Sequence, residues 1–214
     1  MIKKTNYFFR KILYPQLTWK VETDSKEIYL TFDDGPIPRV TEWVLKTLKE
    51  YNAKATFFCV GDNIRKHPDV FKKVLNDGHA IGNHTFNHLK GWTTLNDHYF
   101  ENISLCQSEM TKYVQPKGKP LFRPPHGQIT YPQITQLTDE YEIIMWHVLT
   151  MDYESKLDEE KCLDSAIKNT EKGSIVVFHD SLKAEKNLYY VLPRFLQYFK
   201  NKGYKFNKMP TNTI

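Results

Sequence analysis

Strand-like and helix-like runs alternate along this chain almost from end to end, and that order restricts the fold more than any single residue does. Residues 27–32 alternate apolar and polar positions and are rich in strand formers, after which Val40, Val44 and Leu48 recur at helical spacing. Residues 56–60 read as a second strand. Val70, Phe71, Val74 and Leu75 mark a helix that Asn76-Asp77-Gly78 stops. Further strands are predicted over 79–83, 120–123, 142–149, 173–178 and 204–208. Helices are predicted along the face Phe100, Ile103, Cys106, Met110 and Val114, and over 134–141, 157–170 and 188–202, the last with a restart at Pro193. Repeated strand–helix units imply a parallel sheet covered by helices. Seven strands fit a barrel or a doubly wound sheet, and in either the site lies at the C-terminal ends of the strands.

Composition narrows the classes. A chain of 214 residues with 40% hydrophobic and 26% charged residues suits one domain with a full core and argues against disorder. The net charge of +5 comes from lysines scattered along the chain rather than gathered in a patch, so no nucleic-acid partner is expected. Cys59, Cys106 and Cys162 are too few for a disulfide framework and fall in apolar surroundings, which predicts buried, reduced thiols of a kind that suits the cytoplasm. No run approaches the ~18 apolar residues of a membrane span. Arg10 and Lys11 interrupt the apolar residues near the start, so no signal peptide is read there. The expectation is a lead-in over residues 1–26 packed on one domain over 27–214, without stable membrane insertion. A cytoplasmic location is expected, with the cell envelope as the alternative.

The strand order predicts where chemistry should sit, and residues able to do it do follow strands. The first predicted strand ends in Thr31-Phe32-Asp33-Asp34-Gly35-Pro36, where two adjacent carboxylates repel unless a cation or hydrogen bonds compensate. The third leads into His84-Thr85-Phe86-Asn87-His88, and histidines four apart can chelate one metal. The fourth ends in Arg123-Pro124-Pro125-His126-Gly127, whose arginine could hold a carboxylate. Asp152 and Tyr153 follow the fifth, and Val177-Phe178-His179-Asp180 closes the sixth with a candidate general acid or base. Each feature alone has a plain explanation: an Asp-Gly turn, unrelated surface histidines, a rigid proline turn, a loop cap, a histidine satisfied by backbone. Their succession on five strand ends does not. Two imidazoles and a carboxylate suit zinc, cobalt, nickel, manganese or ferrous iron.

Those motifs, in that order, resemble the polysaccharide deacetylases with the NodB homology domain, carbohydrate esterase family four. The resemblance runs from about Ile28 to Asp180. It implies a NodB-type distorted (β/α) barrel with about seven strands, a divalent metal such as zinc held by Asp34, His84 and His88, and Asp33 as catalytic base. Arg123 would orient Asp33, and His179 would be the general acid, with Asp152 pairing to it and raising its pKa. Pro124, Pro125, His126 and Tyr153 would meet substrate, the backbone N–H at 126 serving the oxyanion. The chain departs from the family where Leu149 replaces a common aspartate, Tyr153 a usual tryptophan and His126 a frequent tyrosine.

The implied activity is metal-dependent hydrolysis of the linear, non-peptide amide of N-acetylhexosamine units in a poly- or oligosaccharide. The alternatives are an esterase acting on O-acetyl groups and a non-catalytic glycan-binding protein. A ferrous oxygen enzyme would leave Asp33 and His179 without a role. Trp92, Trp146 and Tyr131 could stack on sugar rings, but an aromatic in a barrel protein is more often core. His67, His79, His98 and His147 are read as structural or exposed.

Overall fold

A computed structural model describes residues 4, 5, 12, 14–115 and 117–210. Of the expected lead-in, residues 1–3, 6–11 and 13 lie outside the described residues. In chain order the elements are β1 (Glu27–Asp33), α1 (Val40–Glu50), β2 (Thr56–Cys59), α2 (Gly61–Lys66), α3 (Pro68–Asn76), β3 (Ala80–Asn83), α4 (Asn96–Thr111), β4 (Leu121–Phe122), α5 (Tyr131–Glu140), β5 (Glu142–Ile143), β6 (Val148–Leu149), α6 (Glu159–Asn169), β7 (Ile175–His179), α7 (Glu185–Asn201) and β8 (Lys205–Asn207). The strands pair in parallel in the order β5-β4-β3-β2-β1-β7-β6, and β8 pairs with the first half of β1. The sheet curls into the distorted barrel that the family resemblance implied, and settles the choice that the strand–helix order left open between a barrel and a doubly wound sheet.

Period-two geometry sorts the side chains. Along β1, Ile28, Leu30 and Phe32 pack outward with the core faces of the covering helices, whereas Tyr29 belongs to a separate inner cluster with Phe58, Ile144, Ile175 and Met209. Phe32 stacks between Phe57 and Phe178, with centroids 5.1 and 5.7 Å away. On the inner face the register pairs Tyr29 with Ile175, Thr31 with Val177 and Asp33 with His179. The Tyr29–Ile175 and Thr31–Val177 layers thus lie beneath one chemical layer at the C-terminal strand ends.

The strand expected over 142–149 is instead two short strands, β5 on β4 and β6 on β7, so the one run closes the barrel by crossing between its edges. The break has a local cause. The Ile144 and Met145 carbonyls accept from the Arg123 guanidinium, and the Met145 N–H donates to the Thr18 carbonyl. Thr18 also donates from its N–H to the Ile143 carbonyl, and Leu17 and Trp19 are buried beside this seam.

The helices form where an apolar stripe meets the sheet. α5 opens on a capping box in which Thr130 and Gln133 satisfy each other's backbone N–H, and Asp158 caps α6. α7 runs unbroken through Pro193, where a restart was expected. The proline removes a hydrogen bond at a cost of about 3 kcal/mol, but Leu188, Val191, Leu192, Phe195, Leu196 and Phe199 are buried on one face and hold the helix on both sides. α2, six residues long, is too short to give a periodic signal in the sequence. The three cysteines are free and buried, and burial pushes the Cys59 and Cys106 thiols up. No described helix is long and apolar enough to cross a membrane.

Candidate active site

Five loops after strands converge on a cavity of about 210 Å³ lined by Asp33, Asp34, His84, His88, His126, Tyr153 and His179 among others. Asp34, Thr85, His88, His126 and Met151 all hold positive φ, and Arg39 and Asn52 are the only other non-glycine residues to do so among the described residues. A left-handed L-residue is strained and persists where its surroundings over-determine it. The surroundings here are specific. Asn63 donates to the Asp34 carbonyl at 2.7 Å, and Asp180 accepts the Gly35 N–H at 3.1 Å. Asn83 accepts the Thr85 N–H, and Asn102 accepts those of Phe86 and Asn87.

These loops bring one nitrogen each of His84 and His88 and one oxygen of Asp34 within 4.8 Å of one another. The Asp34 Oδ1 lies 3.2 Å from His88 Nε2 and 3.9 Å from His84 Nε2. His84 Nδ1 must donate to the Arg123 carbonyl at 2.7 Å, which leaves Nε2 with its lone pair toward Asp34. Burial lowers the His84 pKa to about 4, so the ring is the neutral base a cation requires. Burial opposes the Asp34 charge, but the His88 hydrogen bond and the neighbouring imidazoles hold its carboxyl well below the usual range. Two imidazoles and a carboxylate on one spot, with the cavity open beside them, fit a divalent metal with free positions.

On one side of this cluster lies Asp33. Its Oδ1 accepts from Arg123 Nη1 at 2.7 Å, and its Oδ2 stands 4.0 Å from His84 Nε2. Arg123 is wholly buried, stacks at 4.1 Å over Phe58, and also donates to Thr31 Oγ1 and the Ile144 and Met145 carbonyls. Burial works against its charge and Asp33 supports it. On the other side lies His179. Asp152 accepts both its Nδ1–H, at 2.7 Å, and its backbone N–H, at 2.8 Å. Burial alone would discharge this ring. The Asp152 charge and hydrogen bond, helped by Asp34 and Asp33, outweigh it and raise the pKa to about 9.

The remaining candidates divide. His126 and Tyr153 line the cavity, Tyr153 edge-on to His179 at 4.7 Å. Pro124 and Pro125 are buried and do not line it. Among the described residues no acceptor takes the His126 backbone N–H, whereas those of Gly127 and Gln128 fold back onto Pro124 and Pro125. Trp146 lines the wall, and Gly127 is required beneath it, since a Cβ there would sit 2.4 Å from the indole. Trp92 and Tyr131 are exposed. His79 and His147 are buried structural groups, accepting from Ala55 N–H and bonded to Ser174.

Sequence reasoning missed three features. Lys183, on the turn after β7, lines the cavity without belonging to any motif. Leu149 and Val177 supply apolar wall. Asp180, quoted only as the end of a motif, is wholly buried against the Asp34-Gly35 turn, accepting from Gly35 N–H and from Thr41 Oγ1 at 2.6 Å. A carboxylate directly after a buried strand, facing the Asp-Gly turn in register, was the signal available for it.

The chain is similar to known proteins in sequence and in fold. A family model described as polysaccharide deacetylase matches residues 20–143. A peptidoglycan-N-acetylglucosamine deacetylase of Bacillus cereus is 35% identical over 202 residues, covering 92% of this chain and 93% of its own. A chitooligosaccharide deacetylase of Azorhizobium caulinodans is 33% identical over 163 residues, 75% of this chain and 77% of its own. Among solved structures, a peptidoglycan N-acetylglucosamine deacetylase in complex with 4-naphthalen-1-yl-N-oxidanyl-benzamide superposes with a TM-score of 0.86 at 28% identity, covering 96% of this chain and 95% of that one.

Proposed function

The chain belongs to the polysaccharide deacetylase family, and from that premise we propose how its residues divide the work of removing acetyl groups from N-acetylhexosamine units of a glycan. The observation that carries the reading is the order of groups across one cavity: a carboxylate backed by a buried arginine, a carboxylate–imidazole–imidazole cluster, and an imidazole backed by a buried carboxylate.

A divalent cation held by Asp34, His84 and His88, which we take to be zinc, would polarise the acetyl carbonyl and acidify the attacking water. Asp33 accepts that water's proton through Oδ2, since Arg123 occupies Oδ1. Arg123 donates to four acceptors and fixes the carboxylate without touching substrate. The His126 N–H donates to the oxyanion of the tetrahedral intermediate, a role worth roughly 3–4 kcal/mol where such a donor has been removed from other enzymes. His179 Nε2 then gives its proton to the sugar nitrogen as the C–N bond breaks, leaving a free amine and acetate. An amide nitrogen leaves poorly unless protonated, so the raised pKa of this ring is a requirement of the chemistry. Tyr153 and Trp146 wall the sugar side. A cytoplasmic protein acting on short or lipid-linked glycans, the location read from the sequence, remains part of this proposal, as do the lead-in over 1–26 and the domain over 27–214.

The test is acetate release from chitin oligomers and peptidoglycan fragments by zinc- or cobalt-loaded protein, beside Asp33→Asn and His84→Ala. The wild type should release acetate. Asp33→Asn should retain metal and lose about 10²–10⁴-fold in kcat, the range for a general base, whereas His84→Ala should lose metal and activity together. Activity that survives both substitutions, or that a chelator leaves intact, would overturn the assignment.

A further inference from the structure

The carboxylates around the cavity all have partners. Asp33 has Arg123, Asp152 has His179, Asp34 faces two imidazoles, and Asp180 takes hydrogen bonds from Thr41 and Gly35. Lys183 breaks this pattern. It is the only lysine or arginine among the described residues that line the cavity, it is exposed, and no described carboxylate pairs with it. Its ammonium instead lies over the face of Tyr153, 5.3 Å from the ring centroid. A lysine stem is flexible, and a cation–π seat restricts where its charge resides. Tyr153 in turn stands 4.7 Å edge-on to His179. One phenol ring therefore separates a free positive charge from the imidazole that would protonate the sugar nitrogen.

We propose that Lys183 binds a carboxylate borne by the sugar at, or beside, the reacting N-acetyl group, so that the protein prefers an acidic glycan to a neutral one. The inference rests on the deacetylase reading above. Three features favour this ligand. A single ammonium, the one lysine or arginine among the described residues lining the cavity, suits a singly charged carboxylate, whereas phosphate commonly recruits several donors or an arginine fork. The neighbouring wall of Trp146, Leu149, Tyr153 and Val177 is largely apolar, which strengthens a charge pair relative to open water. The carboxylates already present each have partners other than Lys183, so an incoming carboxylate meets Lys183 without a rival.

Three substrates isolate the charge: peptide-free glycan strands in which N-acetylglucosamine alternates with a carboxylate-bearing N-acetylated sugar, the same strands with those carboxylates reduced to alcohols, and neutral N-acetylglucosamine oligomers. Lys183→Met should lower kcat/KM roughly two- to fivefold on the acidic strands, chiefly through KM, as an exposed ion pair allows. It should change the other two less than twofold. Lys183→Arg should retain the preference, and added salt should erode it in the wild type. Equal losses on all three substrates, or no loss on the acidic one, would overturn the role of Lys183 while leaving deacetylation intact. A wild type that released acetate from none of them would overturn the deacetylase reading and this inference with it.

Discussion

Two ion pairs flank the cavity, and they are built in opposite senses. In one, Asp33 faces the reacting space and Arg123 lies buried behind it; in the other, His179 faces the space and Asp152 lies buried behind it. Both contacts are 2.7 Å, and both rear partners are at most 1% exposed. What differs is which member can titrate near neutral pH. An arginine is a permanent cation, so it holds a base in place. A carboxylate behind an imidazole favours the charged ring and so makes an acid. On the proposed assignment, the rear residue, rather than the exposed one, fixes the role of the front residue.

The largest break in that comparison is the removal of Arg123. Arg123→Leu leaves Asp33 buried without its cation and frees Thr31 Oγ1 and the Ile144 and Met145 carbonyls. Losing one member of a buried pair costs about 3–5 kcal/mol, so urea unfolding should show a loss of that order together with abolished turnover. Because those carbonyls lie on the run that closes the barrel, Arg123→Lys should rescue only part of the stability: it restores charge but not the fork. Adding Asp33→Leu to Arg123→Leu should recover part of the loss, since it removes the stranded charge.

A smaller effect is expected from the opposite pair. Asp152→Asn keeps an acceptor for a histidine N–H but withdraws the charge that lifts the ring. As the proposed general acid, His179 would act only when protonated, so activity should be present below its pKa and fall as pH rises through it. In the metal-free protein that pKa is raised to about 9, and a cation on Asp34 lowers it from there. Asp152→Asn should move the alkaline limb of kcat to lower pH by about one unit or more, each unit being ~1.4 kcal/mol, and should reduce kcat at neutral pH roughly ten- to hundredfold. A limb that stays in place would assign it to another group.

How much of this could be read in advance depends on how local the physics is. Asp33, Asp34, His84, His88, Arg123 and His179 were legible because strand alternation and short motifs both place them at strand ends. The run over 142–149 was legible as a strand but not as a broken one, since its break depends on Arg123 and Thr18, distant in sequence. Pro193 carried a correct local signal, a missing N–H, that the packing of α7 overrode. Lys183 had no signal at all: one more exposed lysine becomes distinct only when the fold sets it over Tyr153. The non-lining positions of Pro124 and Pro125 follow from the turn they build, which puts His126 and Gly127 forward in their place.

Asp180 sharpens the comparison from a third side, because it is a buried carboxylate with no cation behind it. Its partners are the Gly35 N–H and the Thr41 hydroxyl. Burial, with the Asp34 charge nearby, raises its pKa to about 8 against the opposing pull of those hydrogen bonds. At neutral pH it is then largely a neutral acid, and it lacks the basic partner that Asp33 has in Arg123 and Asp152 in His179. Asp180→Asn should therefore be almost silent in stability, within about 0.5 kcal/mol, since the amide oxygen still accepts from Gly35 and the amide N–H can donate to Thr41 Oγ1. Asp180→Ala leaves the Gly35 donor and the Thr41 hydroxyl stranded, at about 1–3 kcal/mol. It also loosens the turn that holds Asp34 at positive φ, so weaker metal retention against a chelator should accompany the loss, with kcat little changed at saturating metal. If Asp180→Asn instead proved as damaging as Asp180→Ala, the carboxylate would be ionised in the working protein. The charge on the bound cation would then reach Asp180, and the rule that a buried carboxylate needs its own cation would have to include one shared through Asp34.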